Sequence, residues 1–285
     1  MSALNERMML IQLNISQWTA KKLDKGVTND VLVQKGAVQG SGRFNKDLLP
    51  NNKALKLVHQ KTSEIRAEFY ENTLPWGMAG TQILAAKNYL PFVDKFRTHK
   101  NKWNTLVEDF LSEYSTAITK AQTDLGTMFD PTVYPPRSVI EKKFNCDVTV
   151  MPVPSTDFRI QIVDSELEKV RASVEAKVTS SVRDAVVELW QRVLERVEAM
   201  AERLSDPDAE FRDSLVGNLE HVVELLPRMN FTDDPELSNI SAEIKARLLN
   251  IKDPKVLRQD SQKRSMVAMQ ATVIANTMKA HMGTL

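Results

Sequence analysis

Lys95, Arg97, Lys100 and Lys102 place four fixed positive charges within nine residues that also hold Phe96, His99 and Trp103. Cations spaced along a chain can meet successive phosphates, and an aromatic ring beside them offers a flat face on which an unpaired base stacks. Arg43, Phe44 and Lys46 repeat the combination next to a glycine-rich loop, Gly36-Ala-Val-Gln-Gly40-Ser-Gly42. Arg43, Phe44, Lys46, Lys95, Arg97, Lys100, Lys102 and Trp103 are therefore the candidate contacts to a single-stranded nucleic acid. The same spacing has a plainer reading. Phe96 and Trp103 fall one heptad apart, so a helix would bury both rings and turn the lysines to water. A net charge of +1 also argues against a purely electrostatic binder of a polyanion.

Other chemistry finds fewer residues. His59, His99, His221 and His281 are isolated, with no His-Glu-x-x-His and no pair at helical spacing, so a metal would need ligands from distant segments. Gly40-Ser-Gly42 lacks the Gly-Lys-Ser/Thr ending of a phosphate-binding loop, and no dinucleotide fingerprint is present. A single cysteine, Cys146, excludes a disulfide framework and a thiolate zinc site within the chain. Its neighbour Asp147 raises a thiol pKa, which predicts a buried, inert group. Asp206-Pro-Asp208-Ala-Glu210-Phe-Arg-Asp213 alternates carboxylates as a calcium loop does, but without the central glycine and the distant bidentate Glu. Acids at a helix N-terminus are stabilising without any metal, and Asp233-Asp234-Pro-Glu236 has the same explanation. The expectation is no catalytic residue, no cofactor, no metal and no small-molecule substrate.

These residues must be positioned by helices. Asp-Pro recurs at 130–131, 206–207, 234–235 and 253–254. Asp accepts the free N–H groups of a first helical turn, and Pro at the next position lacks an N–H that would go unpaired. The last three pairs predict helices over 207–226, 235–250 and 254–282. A fourth, over about 165–204, opens on a capping box, Ser165-Glu-Leu-Glu168. Its apolar positions run Leu167, Val170, Val174, Val178, Val182, Val186, Leu189, Val193, Val197, Met200 and Leu204, spaced by three and four only. Some forty residues make a rod of roughly 60 Å, which must cover its stripe with an antiparallel helix of this chain or of another copy. Upstream the pattern predicts helices over about 16–35, 52–73, 79–98, 100–127 and 137–144.

Three segments alternate like strands instead: about 8–15, 147–152 and 157–163, the last two joined by Pro154-Ser-Thr-Asp157. A hairpin alone is marginal in water, so a three-stranded antiparallel sheet is expected, with Pro152 and Pro154 at an edge. The chain then divides into an N-terminal helical region with the small sheet, 1–163, and a C-terminal long-helix bundle, 164–285. Its fold class is mainly α: long antiparallel, coiled-coil-like helices with a small sheet.

Charge follows the same division. Basic residues prevail over 1–110 and 241–285 and acidic ones over 164–240, which permits head-to-tail contact between copies. The apolar run after Arg7 is too short for a signal sequence or a membrane span, so a reducing cytoplasm is expected.

The run Phe211-Arg-Asp-Ser-Leu-Val-Gly-Asn-Leu-Glu-His-Val-Val-Glu-Leu-Leu-Pro-Arg-Met-Asn-Phe-Thr-Asp-Asp-Pro-Glu-Leu237 resembles the C-terminal signature of a family of uncharacterised proteins of tailed bacteriophages. Ile15-Ser-Gln-Trp18, Tyr134-Pro135 and Pro152-Val-Pro-Ser-Thr-Asp-Phe-Arg159 resemble it too, so the likeness spans nearly the whole chain. It implies a phage setting inside a bacterial host cell and brings no active-site residues, because these motifs punctuate structure. The functional expectation is a non-catalytic assembly or adaptor protein that self-associates or binds a protein partner, with no membrane contact. A single-stranded nucleic-acid-binding protein of phage DNA metabolism is the alternative.

Overall fold

The computed structural model describes residues 4, 6–156, 163–251 and 254–285. The fold is mainly helical with a small antiparallel sheet, as the periodicity predicts, but the sheet has four strands and not three. In chain order the strands are β1 (Met8–Ser16), β2 (Lys21–Leu23), β3 (Asn45–Asp47), β4 (Leu74–Pro75), β5 (Thr81–Ala85) and β6 (Asn145–Met151). The main sheet runs β4-β5-β1-β6, while β2 and β3 pair separately. The strand expected over 157–163 lies, except for Val163, outside the described residues.

Strands β4 and β5 fall where the sequence predicts turn and helix. Thr81-Gln-Ile-Leu-Ala85 is too short and too apolar for its period to separate strand from buried helix. Its partner decides the matter. Met8 faces Ala85, Leu10 faces Ile83 and Gln12 faces Thr81, and the Gln12 amide donates to the Thr81 hydroxyl at 2.8 Å. Pro75 sits on the edge strand, where a missing N–H leaves no ladder bond unmade. Gly77 and Gly80, at φ +73° and +75°, carry the chain between β4 and β5 through backbone that a side chain would strain.

Contacts group the chain into two compact units made of non-contiguous segments. The first comprises Met1–Gln12, Phe69–Val93 and Thr149–Leu285; the second, Leu13–Glu68 and Asp94–Val148. The nine helices with both ends among the described residues are α1 (Lys25–Gln34), α2 (Lys53–Glu71), α3 (Tyr89–Leu125), α4 (Arg137–Glu141), α5 (Asp164–Ser205), α6 (Ser214–Met229), α7 (Pro235–Arg247), α8 (Pro254–Gln259) and α9 (Ser261–Met282).

In the first unit, α5 is the single unbroken rod that the valine spacing predicts, 42 residues long. Its start differs: Val163 stands at the N-cap and makes no side-chain bond, so the Ser165 capping box is not used, and Asp164 and Glu166 act on the first turn by charge. Helix α9 lies antiparallel along it, since Arg264 bonds the Leu204 carbonyl while His281 packs against Trp190 with ring centroids 4.7 Å apart and planes tilted by 38°. Val178, Leu189, Val193, Val197, Met200 and Leu204 are buried with Ile274 and Met278 of α9 and with Met8, Leu10 and Ile83 of the sheet. Asp234 caps α7 as predicted, accepting from the Glu236 and Leu237 N–H groups.

Asp206-Pro207 does not begin a helix; α6 starts seven residues later, at Ser214. The intervening backbone spends its carbonyls on arginine. The Arg264 guanidinium takes the carbonyls of Arg203, Leu204, Asp206 and Ala209, and Arg258 takes that of Phe211, whose ring lies under both cations. Arg264 Nε and Nη2, with Arg258 Nε, thus serve two carbonyls of the last turn of α5 and three of the loop that follows.

In the second unit the helix predicted over 16–35 is only α1, because Asp24 caps it through the Val27 N–H and Lys21–Leu23 pairs with β3. The break expected near 98–100 is absent. Helix α3 runs 37 residues, and Pro91 fits because it lies in the first turn, where N–H groups have no helical partner. Its inner face carries an aromatic chain in which Trp18 meets Tyr114 at 5.7 Å, Phe110 meets Phe144 at 5.9 Å, and Phe144 meets Trp103 at 6.0 Å.

Candidate functional site

The eight candidate contacts all lie in the second unit, and the fold sorts them into two kinds. Trp103 and Lys46 are interior. Trp103 is 2% exposed, and its indole N–H donates to Thr62 Oγ1 at 2.8 Å, so no ring face remains for a base. Lys46, 7% exposed, reaches the Asp24 carboxylate at 3.2 Å and the Met128 carbonyl at 2.7 Å. It ties β3 to the cap of α1 and does not face water. The heptad spacing of Phe96 and Trp103 is therefore core spacing, since Phe96 is buried as well.

The other six reach the surface to different degrees. On α3, Lys95 pairs with Glu68 at 3.1 Å, Arg97 with Asp94 at 3.5 Å and Lys100 with Asp147 at 3.3 Å. Lys102 and Arg43 have no ion-pair partner among the described residues. Phe44, 37% exposed, keeps part of its ring in water. A carboxylate stands beside most of the α3 cations, so that face presents alternating charge where a phosphate backbone would want one sign. His99 lies among the same side chains; burial first, then Lys61, holds its pKa below the ordinary histidine value, so it adds no cation near neutral pH.

A second group of basic residues stands beside exposed valines that the sequence did not mark. Residues 21–46 hold Lys21, Lys22, Lys25, Lys35, Arg43 and Lys46 against Asp24 and Asp30. With Lys46 and Asp24 paired to each other, the remainder keeps a positive balance, although Asp47 stands opposite Lys21 in the β2–β3 ladder and Asp130 feels the charge of Lys22. Around those charges Val33 and Val38 are 72% and 78% exposed, and Leu23 and Val31 are exposed as well. Helix α1 offers no clean period to mark this: both its faces mix valine with polar residues, and only Leu32 is buried.

In the first unit the corresponding feature is an open groove of about 970 Å³ along α5, whose lining includes the apolar Pro75, Ala172, Ala176 and Val187 and the acidic Glu175 and Asp184. It lies on a different face of α5 from the valine stripe. The stripe itself is unevenly covered. Val178 and the stripe residues from Leu189 onward are buried, whereas Leu167 and Val170, nearer the start of the rod, are half-exposed.

Other titratable groups are accounted for by structure. Cys146 is buried and free, and burial pushes its thiol up to about 11. His221 meets Glu71 at 3.0 Å, and His59 donates to the Trp18 carbonyl at 2.9 Å. Among the described residues no group of three or more His, Cys, Asp or Glu is placed to hold a metal ion, and no helix is long and apolar enough to cross a membrane. Compared with models of protein families, with curated proteins and with solved structures, the chain has no match.

Proposed function

We propose that this chain is a non-catalytic assembly or adaptor protein that acts by self-association or by binding a protein partner. The observation that carries this reading is the start of α5, which has no covering helix among the described residues. The 22 residues of α9 run against the C-terminal part of a 42-residue rod. Toward its N-terminus α5 keeps half-exposed Leu167 and Val170 on one face and a groove with a partly apolar lining on another. Packed helices bury such surface, and a large exposed apolar area on a folded protein marks a contact with another macromolecule. Coiled-coil-like pairing with a partner helix is the form that contact takes in this proposal. The setting inferred from the sequence motifs is phage-related, in the cytoplasm of a bacterial host.

Size-exclusion chromatography with light scattering at low and high protein concentration tests the self-association branch. A mass above one chain that rises with concentration supports it; a single-chain mass throughout overturns it and leaves binding to another protein.

A second reading, a single-stranded nucleic-acid binder, is supported by the positive surface of residues 21–46 with part-exposed Phe44. Titration of a fluorescent oligonucleotide at two salt concentrations tests it. Binding that weakens steeply with salt supports it, and no binding at low salt removes it.

A further inference from the structure

Two surfaces of this chain carry opposite charge, and both expose apolar side chains. The groove on α5 is open, and Pro75, Ala172, Ala176 and Val187 supply the apolar part of its lining. Glu175 and Asp184 in the same lining have no ion-pair partner among the described residues. Glu188 also lines it but pairs with Arg192 at 3.0 Å, and Arg183 contributes the one cation of the lining, so the groove carries a net negative charge. The stretch Val31–Arg43 has the opposite character. It projects Val33 and Val38 into solvent, and its charges, Lys35 and Arg43, are both positive, exposed and without a carboxylate partner among the described residues. Gly36 and Gly40, at φ +62° and +93°, carry the chain through left-handed backbone at the end of α1 and in the loop that follows.

We propose that the α5 groove binds the Val31–Arg43 segment of a second copy of this chain, with Val33 and Val38 on the apolar part of the lining and Lys35 and Arg43 against Glu175 and Asp184. This rests on the self-association branch of the proposed function and adds a second contact to it, on a different face of α5 from the stripe that a partner helix would cover. The two surfaces differ, so the contact is heterologous: each copy offers one groove and one segment. Burying the valines supplies the attraction, and the paired charges fix partner and register and speed encounter. A polyanion is a poor occupant of the groove because the carboxylates of the lining would repel it.

The test uses two full-length charge-reversed variants, Glu175→Lys/Asp184→Lys in the groove and Lys35→Glu/Arg43→Glu in the segment. All four positions are exposed, so both proteins should fold, and circular dichroism melts verify that. By light scattering, each variant alone is expected to associate about tenfold or more weakly than the unmodified chain. Mixed in equal amounts, they should regain association, because each reversed surface then meets its complement. Val33→Asp/Val38→Asp should weaken association with no rescue by either partner. If the unmodified chain associates and the variants do so equally well, or if mixing restores nothing, this contact is overturned while self-association stands. If the unmodified chain is a monomer at every concentration, both fall together.

Discussion

Trp103 on α3 donates its indole N–H to the hydroxyl of Thr62 on α2, 2.8 Å away, at a point where Thr62 is wholly buried. The same hydroxyl has its own proton to place, on Gln17 Oε1 at 2.7 Å or on the Val58 carbonyl at 3.0 Å. The Thr hydroxyl thus joins two helices and the segment after β1. Replacing Thr62 by Val keeps the shape and strands a buried donor, at a cost of about 1–3 kcal/mol. Trp103→Phe removes that donor, so in urea unfolding the double variant should lose less than the two single losses added together. Strict additivity would show that the pair is not coupled.

That pairing also shows where sequence reasoning stops. Spacing places Phe96 and Trp103 on one face of a helix, but a tryptophan among lysines reads equally well as a stacking platform or as core. Only Thr62, 41 residues away, decides. The long rod and the Asp234 cap were legible because each is a local rule repeated: apolar residues every three or four positions, or Asp followed by Pro. Strand β5 was not, since its conformation is set by β1, 69 residues upstream at the Gln12–Thr81 bond. Asp206 misled for the same reason. Its sequence offers a helix start, and Arg264 from α9 takes the backbone carbonyls instead. The basic residues over 21–46, Arg43 and Lys46 among them, were legible in the sequence, but the exposed valines beside them were not, because they follow neither period.

Arg264 is the next test of that view. Its guanidinium binds the carbonyls of Arg203 at 3.0 Å, Leu204 at 3.2 Å and Ala209 at 2.8 Å, a set a lysine ammonium cannot span. Arg264→Lys and Arg264→Ala should both destabilise the fold, by about 1–3 kcal/mol, and raise amide hydrogen exchange over 203–213 before the rest of the first unit. Unchanged exchange there would mean that the loop holds itself.

Cys146 gives a prediction about reactivity. Burial raises its thiol to about 11, with Asp147 adding to the shift and Lys100 opposing it. Only the thiolate attacks a disulfide reagent, so at pH 8 the folded protein should label slowly and the denatured one at the rate of a free cysteine. Fast labelling of the folded chain would contradict the buried placement.

Asp233 ties three segments, pairing with Lys87 at 2.5 Å and Arg7 at 3.0 Å from a backbone position with φ of +55°. The hydrogen bond from Lys87 holds its carboxyl below the ordinary range, and the charges of Lys87 and Arg7 add to this. The folded state therefore binds its proton less readily than the unfolded one. The stabilisation is complete above the unfolded value, about 3.9, and disappears as pH falls through the lower folded value. Asp233→Asn should be less stable than the unmodified chain at pH 7, with the gap closing below about pH 4. Denaturant titrations at both pH values measure it, and a gap independent of pH would assign the loss to something other than the carboxylate charge.

The uneven cover of α5 makes a prediction that bears on function. Leu189 is 3% exposed in the core shared with α9, so Leu189→Ala should cost about 2–5 kcal/mol in any assembly state. Leu167 occupies an equivalent place in the stripe but is only half-buried, so in the isolated chain Leu167→Ala should change stability by no more than about 0.5 kcal/mol. Where α5 is covered by a partner helix, Leu167 becomes buried, and the same substitution should then lower the melting temperature only at concentrations that support association. A large loss at all concentrations would place Leu167 in the core of the single chain, and the start of the rod would no longer be available to a partner.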